Sequence, residues 1–362
     1  MNSEDKGLPA RTALQQRIEA ACARYDLLPS DGSPLVVAVS GGKDSVALAW
    51  GLNVLKKRIP LKLVLACMDH GIDSAFQKQA EQVVGKIGEI CEAKVSYGRT
   101  DIPEIVKTSG ENLEVVARKE RYRFLEEVAR SLGARKIALG HHGLDQAETV
   151  LFRLLRGTGP IGLRGMTHRS LLGGTEDIFL VRPLLSESPE DLQLLITESG
   201  IQPVEDPTNR DLGRARAFLR HEVLPKLEAS PFFPATVRSI GKLTAQQDLL
   251  IRDLEERAEK LFHELLMSPG VSNPEPAPAL YLDREKFHSV LPVMRVALLG
   301  KIFSQLELDT NIARTERIVR EIFEVRGNPQ KRRVDLPGPL VLEEQGNVST
   351  FRVQRDSSPD QD

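Results

Sequence analysis

Apolar residues recur along this chain with two different periods. From Thr12 to Asp26, Leu14, Ile18, Cys22 and Tyr25 fall at helical spacing and form one apolar stripe. Leu35 to Val39 is instead a continuous, mostly β-branched run, long enough for a strand buried on both faces, and it stops abruptly at Ser40-Gly41-Gly42. The pattern then alternates. A helix is expected over Ser45 to Lys57, a buried strand over Leu61 to Met68 ending in Asp69-His70-Gly71, and a helix from about Ser74 to Cys91. A strand at Lys94 to Tyr97, a helix over Asn112 to Leu132 and a strand at Lys136 to Gly140 follow. Strands alternating with helices predict an α/β fold with a doubly wound, mostly parallel, Rossmann-like sheet. Such sheets bind ligands beyond the carboxyl ends of their strands, so Ser40, Asp69, His70, Gly140, His141 and His142 are expected to converge on one crevice.

The second half reads differently. Ser230 to Leu265 is mainly helical, and the four prolines between Ser268 and Ala279 mark a linker near 268–280. Two helices are expected over Phe287 to Leu306 and Ile312 to Val325. Short strands over Arg333 to Val353 are broken at Pro337-Gly338-Pro339 and Gly346-Asn347. This predicts a helical segment followed by a small mixed α+β C-terminal domain. The expected division is an N-terminal helical extension over 1–33, an α/β domain over 34–227, a C-terminal domain over 228–355 and a disordered polar tail over 356–362.

Composition narrows the class. At 362 residues, with 41% hydrophobic and 28% charged positions, the chain is long enough for two or three folded modules. The net charge of −2 names no partner, so local clusters must decide. Arg210, Arg214, Arg216, Arg220 and Lys226 interleave with Phe218, Leu219, Val223 and Leu224. Arg314, Arg317 and Arg320 recur at helical spacing, and Lys331-Arg332-Arg333 follows. Either cluster reads as a solvated basic face or as a set of phosphate contacts. The three cysteines, Cys22, Cys67 and Cys91, form no Cys-x-x-Cys pair, which argues against a disulfide framework or a cysteine metal site and fits a reducing cytosol. No apolar h-region precedes Ala20-Ala21-Cys22-Ala23, and Ser45 to Leu55 falls short of the roughly 18 residues a membrane span needs. A cytoplasmic protein without signal peptide or membrane segment is expected.

The chemistry is concentrated at Ser40-Gly41-Gly42-Lys43-Asp44-Ser45. Consecutive glycines between a buried strand and a helix let backbone N–H groups point into one concavity, and the helix dipole favours an anion there. The spacing is neither the Walker A pattern nor the dinucleotide fingerprint. It resembles the PP-loop of the ATP pyrophosphatases, which implies cleavage of ATP between its α and β phosphates, transfer of AMP to a substrate oxygen, and pyrophosphate held in the loop. Further on, Asp145, Glu148 and Thr149 stand at i, i+3 and i+4, sharing one helical face. They read as dipole stabilisation of a helix start or, beside a phosphate cradle, as oxygen ligands for Mg²⁺. A transition metal at His141 and His142 lacks a dense ligand set.

Several blocks in order sharpen the resemblance: Ser40 to Ser45, Asp69-His70-Gly71, Asn112 to Tyr122, His142 to Thr149, Arg153 to Gly159, Gly162 to Met166, Arg182 to Leu185, Asp206 to Asn209, and Arg216 to Arg220 with Leu224-Pro225. Over Pro34 to Leu227 the chain resembles the bacterial tRNA(Ile)-lysidine synthetases. The resemblance implies a PP-loop catalytic domain over 34–227 that binds ATP through Ser40, Gly41, Gly42, Lys43, Asp44, Ser45, Asp69 and His70. It implies catalytic roles for Asp44, Asp145, Glu148 and His142, with Asp44 and Asp145 as Mg²⁺ ligands. Asn112, Glu114, Arg118, Arg121 and Arg182 are implied for the substrate pocket, and Arg216, Arg220, Arg314 and Arg317 for tRNA.

The implied reaction joins free L-lysine to C2 of the first anticodon cytidine of an isoleucine tRNA (CAU) after adenylation of that base. The base that deprotonates lysine stays open among Asp145, Glu148 and His142. The sequence departs from the family pattern at Leu144, where a second aspartate is frequent, and at Ala217, where an asparagine is frequent. The further C-terminal domain of longer members is expected to be absent, and the oligomeric state stays open, a homodimer among the options. A PP-loop tRNA thiolase, an amide ligase of the same superfamily and an ATP-binding regulatory module are the competing readings.

Overall fold

The computed structural model describes residues 12–205, 215–233, 235–267, 279–306, 308, 318–319, 322–323, 331–336 and 339–353. The chain divides into two compact units, Met1–Phe152 with Gly165–Lys242, and Arg153–Arg164 with Leu243–Asp362. In the first unit α1 (Ala13–Arg24) starts at Thr12, whose hydroxyl and Gln15 form a capping box, and it buries Leu14, Ile18 and Cys22. Then follow β1 (Leu35–Ala38), α2 (Lys43–Lys56), β2 (Leu63–Asp69), α3 (Ser74–Ile90), β3 (Lys94–Arg99), α4 (Ile102–Ser109), α5 (Leu113–Leu132), β4 (Lys136–Ala138) and α6 (Gly143–Leu155). The chain continues through α7 (Pro160–Leu163), β5 (Arg169–Leu171), β6 (Phe179–Val181), α8 (Pro189–Ser199), α9 (Ala215–Phe218), a π-helical turn (Leu219–Val223), α10 (Leu224–Glu228) and α11 (Thr236–Leu265).

The sheet order is β3-β2-β1-β4-β6-β5, parallel throughout except for the β5–β6 pair. The mostly parallel, doubly wound expectation therefore holds. Side-chain alternation along β1 explains how both faces are covered: Leu35 and Val37 join one core with Val46 and Leu48 of α2, whereas Val36 joins another with Leu125 and Val128 of α5. The order changes direction between β1 and β4, and the turns after these strands carry the glycine loop and the His141-His142 pair.

In the second unit β7 (Ala279–Asp283), α12 (Arg284–Ser289), α13 (Pro292–Gln305), β8 (Lys331–Asp335), β9 (Leu340–Gln345) and β10 (Val348–Val353) follow the end of α11. The strands form an antiparallel sheet of order β7-β10-β9-β8 around Phe262, Phe287, Leu298, Ile302 and Phe351. The strands expected over Arg333 to Val353 are present, and β7 joins them. The helix expected over Phe287 to Leu306 is instead broken. Pro292 occupies the first turn of α13, and Leu291 before it takes an extended conformation (ψ 137°), as steric conflict with a following proline ring dictates. The linker near 268–280 and the helix over Ile312 to Val325 fall largely outside the described residues, although Ile318 and Ile322 are buried in this second core. The tail over 356–362 lies wholly outside them. Among the described residues no helix is long and apolar enough to cross a membrane.

Candidate active site

The glycine loop has the conformation its residue types require. Gly41 sits at φ +78°, and a Cβ there would meet Ala80 Cα at 3.0 Å, so both backbone and contact demand glycine. Gly42 is the N-cap of α2, with no side chain capping the helix, so side chains leave the amides of the first turn open to an anion. Ser45 holds the turn from within: its hydroxyl donates to Gly42 O (2.8 Å) and accepts from the Ser40 amide (3.2 Å). Val204 donates its amide to Gly41 O at 3.0 Å, tying the loop to a second segment. Lys43 is exposed, and Asp44 projects from the first turn.

The turn after β4 approaches this loop very closely. A Cβ on Gly140 would lie 2.9 Å from Asp44 O, a backbone contact no side chain can relieve. His142 follows, 1% exposed. Its Nδ1 accepts the Leu144 amide (3.3 Å), which leaves the proton of a neutral ring on Nε2. That Nε2 points between two carboxylates, 3.5 Å from Asp44 Oδ1 and 3.6 Å from Asp145 Oδ2. Asp145 Oδ2 also accepts the His142 amide (2.9 Å).

Arg220, carried on the π-helical turn, closes the group. It donates to Asp145 Oδ1 at 2.5 Å and to Glu148 Oε1. Single π turns recur at functional sites because they shift a side chain out of α register. Thr149, which shares the acidic face, spends its hydroxyl on Asp145 O (2.8 Å).

Burial acts on each charge differently. Burial pushes Asp44 up, but His142, Lys43 and Arg220 together outweigh it and hold the carboxyl below the usual aspartate value. For Glu148 burial wins over the hydrogen bond and charge of Arg220, so its carboxyl lies above the usual glutamate value. Burial pushes His141 down to about 4, aided against Asp145 by Arg182, Arg121 and Arg118.

The remaining expected residues are distributed around this centre. Asp69 Oδ1 accepts the Gly71 amide (2.8 Å), which shapes the turn after β2, and Ile102 donates its amide to His70 O (3.1 Å). Asn112 caps α5 by accepting the Glu114 amide (2.9 Å), a structural task. Arg118 and Arg121 lie over the Tyr122 ring, and Arg182 is buried beyond β6. Arg216 is exposed, 5.9 Å over Phe152. Arg220 faces the carboxylates of α6. Arg314 and Arg317 lie outside the described residues.

Two supports went unread in the sequence. Glu187 O accepts the Gly143 amide at the start of α6 (2.8 Å), and Arg17 holds the Glu187 carboxylate (2.7 Å). Only the close approach at Gly140 had a sequence signal, a glycine at the end of a strand.

Magnesium can be tested against these donors. Asp44 Oδ1 is buried without a hydrogen-bond partner, as suits a hard cation seeking oxygen. Asp145 has committed one oxygen to Arg220 and the other to the His142 amide. Among the described residues no group of three or more His, Cys, Asp or Glu could hold a metal. A magnesium ion at Asp44 would therefore complete its shell with phosphate and water oxygens.

Comparison with known proteins gives this geometry a lineage. The PP-loop domain model, ATP_bind_3, matches residues 11–227, more than half of the chain. A protein of Thermus thermophilus named tRNA(Ile)-lysidine synthase is 36% identical over 328 residues, covering 89% of this chain and 57% of that protein. One of Salinispora tropica with the same name is 38% identical over 231 residues, covering 64% and 67%. The chain spans little more than half the length of the Thermus relative and of a Thermotoga one. Among solved structures, the U34-tRNA thiolase NcsA from Methanococcus maripaludis with its 4Fe-4S cluster superposes with a TM-score of 0.52 at 18% identity, covering 76% of this chain and 92% of that one, a likeness of fold alone. With its loop geometry and these relatives together, the chain belongs to the PP-loop family, on the branch of the tRNA(Ile)-lysidine synthases.

Proposed function

We propose that this protein ligates free lysine to C2 of the first anticodon cytidine of an isoleucine tRNA carrying CAU, converting ATP to AMP and pyrophosphate through an adenylated cytidine. One juxtaposition supports the reading above all others: an uncapped glycine loop lies against the start of α6, where Asp145 and Glu148 wait beside Asp44 and His142. Relatives bearing the name tRNA(Ile)-lysidine synthase supply the substrate. In this reading residues 34–227 carry the chemistry and 228–355 engage tRNA.

The C2 oxygen of cytosine leaves poorly, so adenylation must precede attack by the amine. Loop amides and the Ser40 hydroxyl receive the pyrophosphate, an electrostatic stabilisation aimed where charge develops, while Ser45 keeps the loop in shape. Magnesium, when bound at Asp44, supplies charge neutralisation to phosphate oxygens. Lysine enters as an ammonium with a pKa near 10.4 and must lose a proton before it attacks. Glu148 is the better base, because burial raises its proton affinity. His142 is a positioning residue: its Nδ1 is already an acceptor, and its Nε2–H is directed at the carboxylates. The target base leaves its stack to reach the crevice. Arg216, together with Arg314 and Arg317, is assigned to tRNA phosphates.

Sulfur transfer fits less well. Cys22, Cys67 and Cys91 are each 2% exposed or less, and burial pushes their thiols up to about 12, 11 and 11. The test compares labelled lysine incorporation into isoleucine tRNA with a CAU anticodon and into its first-position uridine variant. Incorporation into the first alone is expected, since a pocket hydrogen-bonded to the cytosine amine leaves polar groups unpaired against uracil. Equal incorporation into both, or sulfur incorporation without lysine, would overturn the assignment.

A further inference from the structure

Away from the carboxylates around Asp44, one imidazole is held in a fixed orientation. His168 is buried directly before β5, and Arg182, directly after β6, donates its amide to His168 O (2.8 Å). The Tyr25 ring stacks on the imidazole, with centroids 4.2 Å apart and planes 11° from parallel. At the ring edge Nδ1 lies 3.0 Å from Arg182 O, and Nε2 lies 3.0 Å from Ser186 Oγ. A carbonyl oxygen can only accept, so Nδ1 carries a proton and donates it to Arg182 O. The same oxygen also accepts the Leu185 amide (3.3 Å), which occupies its second lone pair. In the neutral ring Nε2 is therefore the acceptor, and the Ser186 hydroxyl donates to it.

The serine is placed differently from its partner. It ends a turn over 183–186 that is fixed by the Leu185 amide on Arg182 O and the Glu187 amide on Leu184 O (2.9 Å), and it is exposed. A histidine that only tied two segments together would need no partner at the surface. A hydroxyl is a weak nucleophile until a base takes its proton, and the base acts best when a third group sets its tautomer and direction. Ser186, His168 and the Arg182 carbonyl supply these three parts in that order. Among the described residues the Ser186 amide donates to no acceptor. A nucleophilic serine's own N–H is one of the donors that stabilise a developing oxyanion, so this amide is available for that task.

We infer that Ser186 is an activated nucleophile with His168 as its base, and that it takes the acyl group of a small carboxylic ester. This does not depend on the lysine-ligating reading. Ser186 Oγ bonds to the acyl carbon while its proton passes to His168 Nε2. The bond from that carbon to the alcohol oxygen breaks, and His168 returns the proton to the departing oxygen. Water then attacks the acyl carbon and gives a proton to Nε2, the carboxylic acid leaves, and Ser186 recovers its proton from His168. The orienting group is a carbonyl without full charge, so the imidazolium gains less than it would beside a carboxylate, and turnover is slow. A hydroxyl at the surface of a turn suits a small acyl group rather than a long one.

The experiment incubates the full chain with p-nitrophenyl acetate, follows p-nitrophenolate release, and locates the acetyl group by peptide mass spectrometry. Ser186 should be acetylated roughly 100-fold faster than the other serines, the lower end of what a positioned base contributes. Ser186→Ala should remove that label, and His168→Gln should slow acetylation of Ser186 by the same factor. Because His168 is buried and its replacement can disturb folding, the wild-type chain is also labelled in urea, where the pair is broken. There the advantage of Ser186 over the other serines should vanish. Acetylation of Ser186 no faster in the native chain than in urea overturns the inference. So does a His168→Gln chain, folded by circular dichroism, that acetylates Ser186 at the wild-type rate, and so does a native chain whose acetyl groups lie on lysines alone.

Discussion

Replacing Gly140 with alanine should damage nucleotide binding from a position that need touch no nucleotide. The added methyl would sit 2.9 Å from Asp44 O, 3.1 Å from Asp44 C and 3.3 Å from Ser45 N, all backbone atoms of the first turn of α2. To reach the 3.4 Å of ordinary contact the turn must retreat by about half an ångström, carrying the loop amides with it. Overpacking of this kind costs about 1 to 3 kcal/mol. If all of it fell on the loop, nucleotide affinity would drop by roughly 5- to 150-fold. Gly42→Ala provides the contrast. A Cβ there meets Ser40 Oγ at 3.5 Å and Val204 O at 3.9 Å, ordinary contacts, and the backbone (φ −75°) accepts alanine. Thermal unfolding and ATP titration of the two variants separate the cases. Gly140→Ala should lower both Tm and affinity, and Gly42→Ala should keep Tm. A Gly140→Ala protein with wild-type Tm and affinity within twofold would refute the claim that β4 and α2 meet backbone to methyl-sized gap at this point.

Glu148→Gln should reduce kcat more than ATP affinity. In the wild type the acid limb of kcat should lie above the ordinary glutamate value, since the base works only when deprotonated and burial raises its pKa; an acid limb unchanged in Glu148→Gln would assign the base elsewhere. In the second unit Glu344, 1% exposed, accepts from His288 Nε2 (2.5 Å) and Ser349 Oγ (2.9 Å). Burial raises its pKa, but His288, Ser349 and Arg284 together hold it below the usual value, so its stabilisation is present above about pH 4.5 and is lost as pH falls through the lowered pKa. Glu344→Ala should cost about 3 to 5 kcal/mol by leaving its partners unpaired, read as a lowered urea midpoint, and a midpoint within error of wild type would show the cluster to be solvated.

What could be read from the sequence is what neighbouring residues decide among themselves. The Leu35 to Val39 run carries its burial in its own composition, and the alternation around it implies the parallel sheet. The glycine loop was legible for the same reason: its positive φ, its helix start and its serine brace all lie within six consecutive residues. Even the break at Pro292, which apolar spacing alone does not show, is written in one residue and its predecessor. The short strands β5 and β6 were not legible, because three residues carry too little alternation to outweigh their surroundings.

Charge behaves differently from shape in this respect. Arg220 stands in an arginine-rich run, and its local company points to phosphate. Its partners Glu148 and Asp145 are 72 and 75 residues away, and a π turn aims it at them. The same holds for Arg182, whose solvation is removed by the β5–β6 hairpin and whose neighbours arrive from α5. A side chain's charge is fixed by its own identity, but whether that charge is spent, shared or left waiting depends on which distant groups the fold brings to it. Both carboxylates of α6 are already paired with the single positive charge of Arg220, while no carboxylate among the described residues pairs with the guanidiniums over Tyr122.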